Sequence, residues 1–196
     1  LLSEQSRIIK SKFDLESLKE YPKISSWREA YSSFGAKPKK YTCSVENLYR
    51  MVLEGVQLRH INKIVDIYNY ISLKNMVPVG GDDIDKIDGD IMLRFATGSE
   101  PFIRLNSDEI DHPKEGEVIY TDDKEVLCRR WNWRECDKSK MTENTKNIIL
   151  VVEGLAPVTK EDIEIIINDL AEMIGKYCGG EISTHLLNAN LKTLNI

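Results

Sequence analysis

A chain of 196 residues with 41% hydrophobic and 30% charged side chains has the composition of a water-soluble protein able to bury a full core. Its formal net charge of −5 excludes a protein that coats nucleic acid by bulk electrostatics, since phosphate contacts need Lys and Arg, although a local basic patch stays open. No run approaches the roughly 20 apolar residues of a membrane span, and Cys43, Cys128, Cys136 and Cys178 show no C-x-x-C spacing, so reduced thiols are expected rather than a disulfide scaffold or a zinc site.

In chain order, residues 2–21 read as a polar helix that Pro22 stops, and Ser26-Trp27-Arg28-Glu29 then supplies a capping-box pattern for a short helix ended by Gly35. The start Leu1-Leu2-Ser3-Glu4-Gln5 lacks the apolar core of a signal peptide, and the missing initiator Met suggests a trimmed chain. Lys37-Pro38-Lys39-Lys40 is a basic loop. Ser44 reads as the N-cap of a helix reaching Gly55, and residues 62–75 carry Ile64, Val65, Tyr68 and Ser72 at helical spacing, with Asp66 and Asn69 one turn apart on the border of that stripe. Pro78-Val79-Gly80-Gly81 reads as an elbow joining helix to strand, where glycine lets backbone N–H groups approach a ligand.

From Val77 the period becomes two. Ile91, Leu93 and Phe95 alternate with polar neighbours and return, after Thr97-Gly98-Ser99-Glu100, in Phe102-Ile103-Arg104-Leu105, a hairpin signal. Further strands are expected at residues 118–120, 126–134 and 147–153. Within the second of these, Arg130, Asn132 and Arg134 would share one face and Trp131 and Trp133 the other, so the arginine face either binds a carboxylate or phosphate or is a plain exposed edge. Thr159 with Asp162 opens an amphipathic helix through Ile163, Ile166, Leu170 and Tyr177, closed by Gly179-Gly180, and the tail beyond has no assigned structure.

Asp83, Asp85, Asp88 and Asp90 alternate like a calcium loop at first, but Ile87 and Arg94 stand where that loop needs ligands, and His60, His112 and His185 have no partner at metal spacing. No metal or cofactor is therefore expected. A serine triad has no support either, for there is no Gly-x-Ser-x-Gly elbow.

Taken as an ordered set, Trp27-Arg28-Glu29-Ala30-Tyr31, Ser44-Val45-Glu46, Val65-Asp66-Ile67-Tyr68-Asn69-Tyr70, Pro78-Val79-Gly80-Gly81-Asp82-Asp83 and Arg130-Trp131-Asn132-Trp133-Arg134 resemble the editing module of the phenylalanyl-tRNA synthetase beta subunit, its B-three/B-four domain. The resemblance is strongest over 27–154, with the C-terminal helix and tail at 159–196, and the whole of 1–196 is read as one domain. It implies an α+β fold of layered β-sheets packed with helices, and a module that binds the aminoacylated acceptor end of tRNA and hydrolyses misacylated tRNA in trans. It implies a cytoplasmic protein with no membrane or DNA partner. The alternative is a non-catalytic module that binds tRNA or an amino-acid-like ligand.

On the same resemblance, Asn69 and Glu153 are the catalytic candidates, and Tyr68, Gly80, Gly81, Arg94, Arg130, Asn132 and Arg134 the substrate-binding ones. Two positions depart from the synthetase pattern. Tyr68 stands where a small hydroxyl residue is usual, and Gly80 where many bacterial synthetases have histidine, so the accepted amino acid is expected to differ from tyrosine.

Overall fold

The helices follow from their apolar spacing and their caps. The computed structural model, which describes residues 1–195, contains α1 (Leu2–Lys12), α2 (Pro22–Ser33), α3 (Ser44–Leu53), α4 (Lys63–Asn75) and α5 (Lys160–Tyr177). In α5 the buried residues Ile163, Ile166 and Leu170 recur three and four apart on one face. Burial of each such side chain contributes about 1.5–3 kcal/mol. Thr159 and Asp162 form the expected capping box, each side chain bonding the other's backbone N–H. Asn62 caps α4 by accepting from the Val65 N–H at 2.9 Å, and its Nδ2 donates to the Met141 carbonyl, tying the helix start to a distant loop.

Two boundaries differ from expectation. The first helix ends at Lys12, a 3₁₀ turn follows at Leu18–Glu20, and Pro22 begins α2 instead of stopping its predecessor. Proline suits that position because the first N–H of a helix has no partner within it. Cys43, not Ser44, is the N-cap of α3.

The strands are β1 (Val79–Asp83), β2 (Met92–Phe95), β3 (Phe102–Ile103), β4 (Ile110–Asp111), β5 (Val118–Thr121), β6 (Val126–Arg129), β7 (Arg134–Glu135) and β8 (Ile148–Val152). They form three antiparallel sheets, β1-β8, β2-β5-β6-β7 and β3-β4, packed with the helices, so the fold is α+β. The expected hairpin between β2 and β3 does not form: β2 pairs with β5 and β3 with β4. Alternation located the strands but not their partners, because any apolar edge of matching period can satisfy a strand. Likewise the Pro78-Val79-Gly80-Gly81 elbow is not a turn. Its glycines lie inside β1, paired across a long connection with Val151 and Leu150 of β8.

Three apolar clusters hold the layers together. One gathers α1, α2 and α3 around Trp27, Tyr31, Tyr49 and Leu73; a second packs α4 and α5 against the β1-β8 sheet; a third lies on the four-stranded sheet around Phe102, Ile119 and Leu127. Among the described residues no helix is long and apolar enough to cross a membrane.

Candidate active site

Directly paired residues of antiparallel strands put their side chains on the same face of a sheet. In the four-stranded sheet Leu93 pairs with Tyr120, Tyr120 with Cys128 and Cys128 with Glu135, so these four form one row. That row looks toward the β1-β8 sheet. Tyr120 donates through its hydroxyl to Glu153, just past β8, at 2.8 Å, and Glu135 Oε1 would lie only 3.3 Å from a Cβ placed on Gly80 of β1. A side chain at Gly80 would crowd the Glu135 carboxylate by a few tenths of an ångström.

The polar groups in this seam fall into two kinds. Glu153 is fully engaged: Oε1 accepts from Tyr120 and from the Trp131 indole N–H, and Oε2 accepts from Asn132 Nδ2 at 2.6 Å. Asn132 in turn accepts from the Tyr31 hydroxyl at 2.9 Å and the Ser44 N–H at 3.4 Å, which links the seam to α2 and α3. The Glu135 carboxylate, by contrast, has no hydrogen-bond or ion-pair partner among the described residues. Asp82, also on β1, accepts from Ser139 only.

Electrostatics separates the carboxylates further. Burial, and then the neighbouring Asp82, push the Glu135 carboxyl up to about 7. Burial also raises Asp82, against the hydrogen bond from Ser139. Glu153 is raised by burial although its three donors pull the other way. The Tyr68 phenol of α4 is 8% exposed and is held neutral by burial and by Glu135 and Asp82, while burial likewise keeps the Cys128 thiol protonated. A part-buried carboxylate titrating near neutrality, with no partner among the described residues, can take a proton from water or bind an ammonium group.

The structure brings together Tyr68, Gly80, Asn132 and Glu153 of the expected residues, and adds Glu135. Asn69 follows Tyr68 on α4, half-buried, and its side-chain amide makes no hydrogen bond among the described residues. Arg94 does not belong to the site. It alternates with Leu93, so it lies on the opposite face of the sheet, and it is ion-paired with Glu100 at 2.6 Å.

The arginine face is also corrected. Residues 130–133 are the turn between β6 and β7, with φ of 48° at Arg130 and 68° at Trp131, and do not continue the strand. Arg130 is buried against Glu117 at 3.4 Å and stacks on the Tyr41 and Trp133 rings at 3.7 and 4.5 Å, while Arg134 is exposed beside Trp133. Two surface depressions lie away from the seam, one between α4 and α5 and one beside α1.

Glu135 was missed because the alternating pattern runs through Arg134 without a visible break, whereas two consecutive left-handed residues reset the register. An Arg-Trp-Asn-Trp stretch carries no glycine to signal such a turn. Gly81 has a structural role: a Cβ there would stand 2.0 Å from the Ile149 carbonyl oxygen. Gly81→Ala is expected to destabilise the fold by about 1–3 kcal/mol through this clash; an unchanged thermal midpoint would mean that the two strands can separate at no cost.

Comparison with known proteins places the seam within a recognised module. The family model described as "B3/4 domain" matches residues 26–179. The phenylalanine–tRNA ligase beta subunit of Chromobacterium violaceum is 40% identical over 80 residues, 40% of this chain and 10% of that protein. The corresponding subunit of Psychrobacter arcticus is 30% identical over 128 residues, 61% and 16% of the two chains, and that of Thermotoga maritima 27% over 157 residues, 68% and 19%. The chain thus spans 10% to 19% of the length of these relatives. Among solved structures, an N-terminal fragment of the phenylalanyl-tRNA synthetase beta-subunit from Pyrococcus horikoshii aligns with a TM-score of 0.48 and 19% identity, covering 58% of this chain and 39% of that one.

Proposed function

The chain belongs to the B3/4 domain family, and we propose from this that it binds the acceptor end of aminoacylated tRNA and hydrolyses the aminoacyl ester in trans. The observation that carries the reading is Glu135: a part-buried carboxylate, raised to about 7, beside the bare backbone of Gly80 and with no side-chain partner among the described residues. Its similarity to synthetase beta subunits suggests tRNA as the carrier of the ester.

An aminoacyl ester is already activated, so orienting one water and stabilising the developing oxyanion suffices for hydrolysis. In the proposed step Glu135 takes a proton from the water as its oxygen bonds to the ester carbonyl carbon. The tetrahedral intermediate then collapses, the bond from that carbon to the terminal ribose oxygen breaks, and the ribose oxygen recovers the proton from Glu135. Free amino acid and deacylated tRNA leave. Asp82 and Glu153 add carboxyl groups to the wall, acceptors suited to a substrate's α-ammonium group. Glu153, with its oxygens taken up by Tyr120, Trp131 and Asn132, positions this wall rather than holding the water. Asn69 has an unengaged amide and is assigned to orienting the amino-acid end, and Tyr68, wider than a small hydroxyl residue, narrows the space for its side chain.

A panel of aminoacylated tRNAs incubated with the purified protein tests this reading. Deacylation of one species well above the spontaneous rate, reduced at least about tenfold by Asn69→Ala with folding intact, is the expected outcome. Tyrosyl-tRNA is not expected to be the best substrate. Binding without deacylation of any species would favour the second reading, a non-catalytic tRNA-binding module.

A further inference from the structure

At the β6-β7 turn, cations and aromatic rings alternate. The Arg130 guanidinium lies 3.7 Å from the centre of the Tyr41 ring and 4.5 Å from that of Trp133; Arg134 lies 4.8 Å from the same tryptophan and Lys40 lies 5.2 Å from Tyr41. Tyr41 and Trp133 meet edge to face at 4.9 Å. Both rings are half-buried, so each still offers surface to solvent.

Two features single this stack out from an ordinary charged surface. Arg130 is only 6% exposed, yet its Nη1 has no hydrogen-bond partner among the described residues. An unpaired buried N–H of this kind carries a desolvation penalty that an incoming acceptor would relieve. The second is the set of cations around the stack. Lys37, Lys39, Lys40, Lys114 and Arg134 are exposed, and none is ion-paired among the described residues. A chain whose net charge is −5 thus gathers unneutralised positive charge beside two rings.

We propose that this stack is a landing for the unpaired nucleotides at the 3′ end of an RNA. The bases lie against Tyr41 and Trp133, the lysines of the 37–40 loop neutralise the phosphates, and Arg130 Nη1 donates to a phosphate oxygen once Tyr41 shifts. Planar rings serve any base because each base has a π face, and lysines supply the salt-sensitive part of the binding. The position suits the chemistry. Arg134 and Glu135 are consecutive on β7 and their side chains leave opposite faces, so a strand crossing the turn would bring its terminal ribose to the edge of the carboxylate seam. The inference rests on the tRNA reading above but not on hydrolysis.

The test measures binding of the full chain, by fluorescence anisotropy, to one deacylated tRNA with its unpaired 3′ nucleotides intact and to the same tRNA trimmed back to the last base pair. Intact tRNA is expected to bind at least about tenfold more tightly. Trp133→Leu should remove most of that difference. The Lys37→Gln, Lys39→Gln, Lys40→Gln variant, whose changes are all at the surface, should weaken binding and lower the slope of log K against log salt by about 2. Equal affinity for the two tRNAs, or a triple variant that binds like wild type, overturns the proposal. Deacylation with no preference for the intact end refutes the landing and leaves the hydrolase standing. The converse, end-dependent binding without deacylation, refutes the hydrolase and leaves the landing.

Discussion

Glu135→Gln is expected to abolish deacylation while making the protein more stable above neutral pH. Removing a general base lowers the rate by about 100-fold to 10,000-fold. The stability effect has the opposite sign because the carboxylate is charged where charge is disfavoured. Its folded pKa, about 7, lies above the unfolded value of 4.5. Between these two values the folded state binds more protons than the unfolded state, so stability falls as pH rises, and the whole penalty is present above pH 7. At about 1.4 kcal/mol per unit, that amounts to about 3 kcal/mol at pH 8, roughly 6 °C or more in thermal midpoint for a chain of this size. Below the unfolded pKa both forms are neutral and the two proteins should melt together.

Thermal unfolding of wild type and variant at pH 4, 6 and 8 tests the linkage, and the pH profile of deacylation tests the role. The wild-type rate should rise with pH and be half-maximal near the Glu135 value of about 7. A variant that loses activity without gaining stability at high pH would mean that solvent reaching the part-buried carboxylate offsets the cost of its charge, and the raised pKa would fall as an argument. A stabilised variant with full activity would remove Glu135 from the chemistry and leave the burial intact. Functional sites commonly hold such charges at the expense of stability.

Local signals carried much of this structure. The stripe Ile64, Val65, Tyr68, Ser72 placed α4 correctly, and Thr159 with Asp162 placed α5, because caps and apolar spacing act within a turn or two of the residues that show them. Gly80 and Gly81 were noticed for the right property, closeness of backbone, but for the wrong geometry: what approaches is β8 and the Glu135 carboxylate rather than a turn's own chain. The pairings β1-β8 and β2-β5 join residues distant in sequence and have no local signature. The site follows those pairings. Asn132 was placed with Arg130 and Arg134 on one strand face, whereas the turn directs it to Glu153.

Glu117→Ala is expected to be the most damaging single change outside the seam. Glu117 is 4% exposed and accepts from Arg129 Nε at 2.9 Å, Arg129 Nη2 at 3.0 Å and the Arg130 backbone N–H at 3.2 Å, with Arg130 Nη2 at 3.4 Å completing the cluster. Truncation would leave two buried guanidinium groups, one of which keeps Asp111 at the surface while the other keeps no carboxylate. Breaking such a buried pair costs about 3–5 kcal/mol, a large part of the 5–15 kcal/mol typical of a folded domain. The damage should also be local in origin. The bond from the Arg130 N–H to Glu117, and that from the Trp131 N–H to the Val118 carbonyl at 2.7 Å, hold the two consecutive left-handed residues of the turn, each of which costs about 1–2 kcal/mol for a side chain other than glycine. Urea denaturation should show a lower midpoint with an unchanged slope. The fluorescence of half-buried Trp131 and Trp133 and the helical signal should fall together at that lower midpoint. If Glu117→Ala shifts stability by less than about 1 kcal/mol, as an exposed ion pair would, the turn is held by packing alone, and the charge cluster beneath Tyr41 and Trp133 does not set its shape.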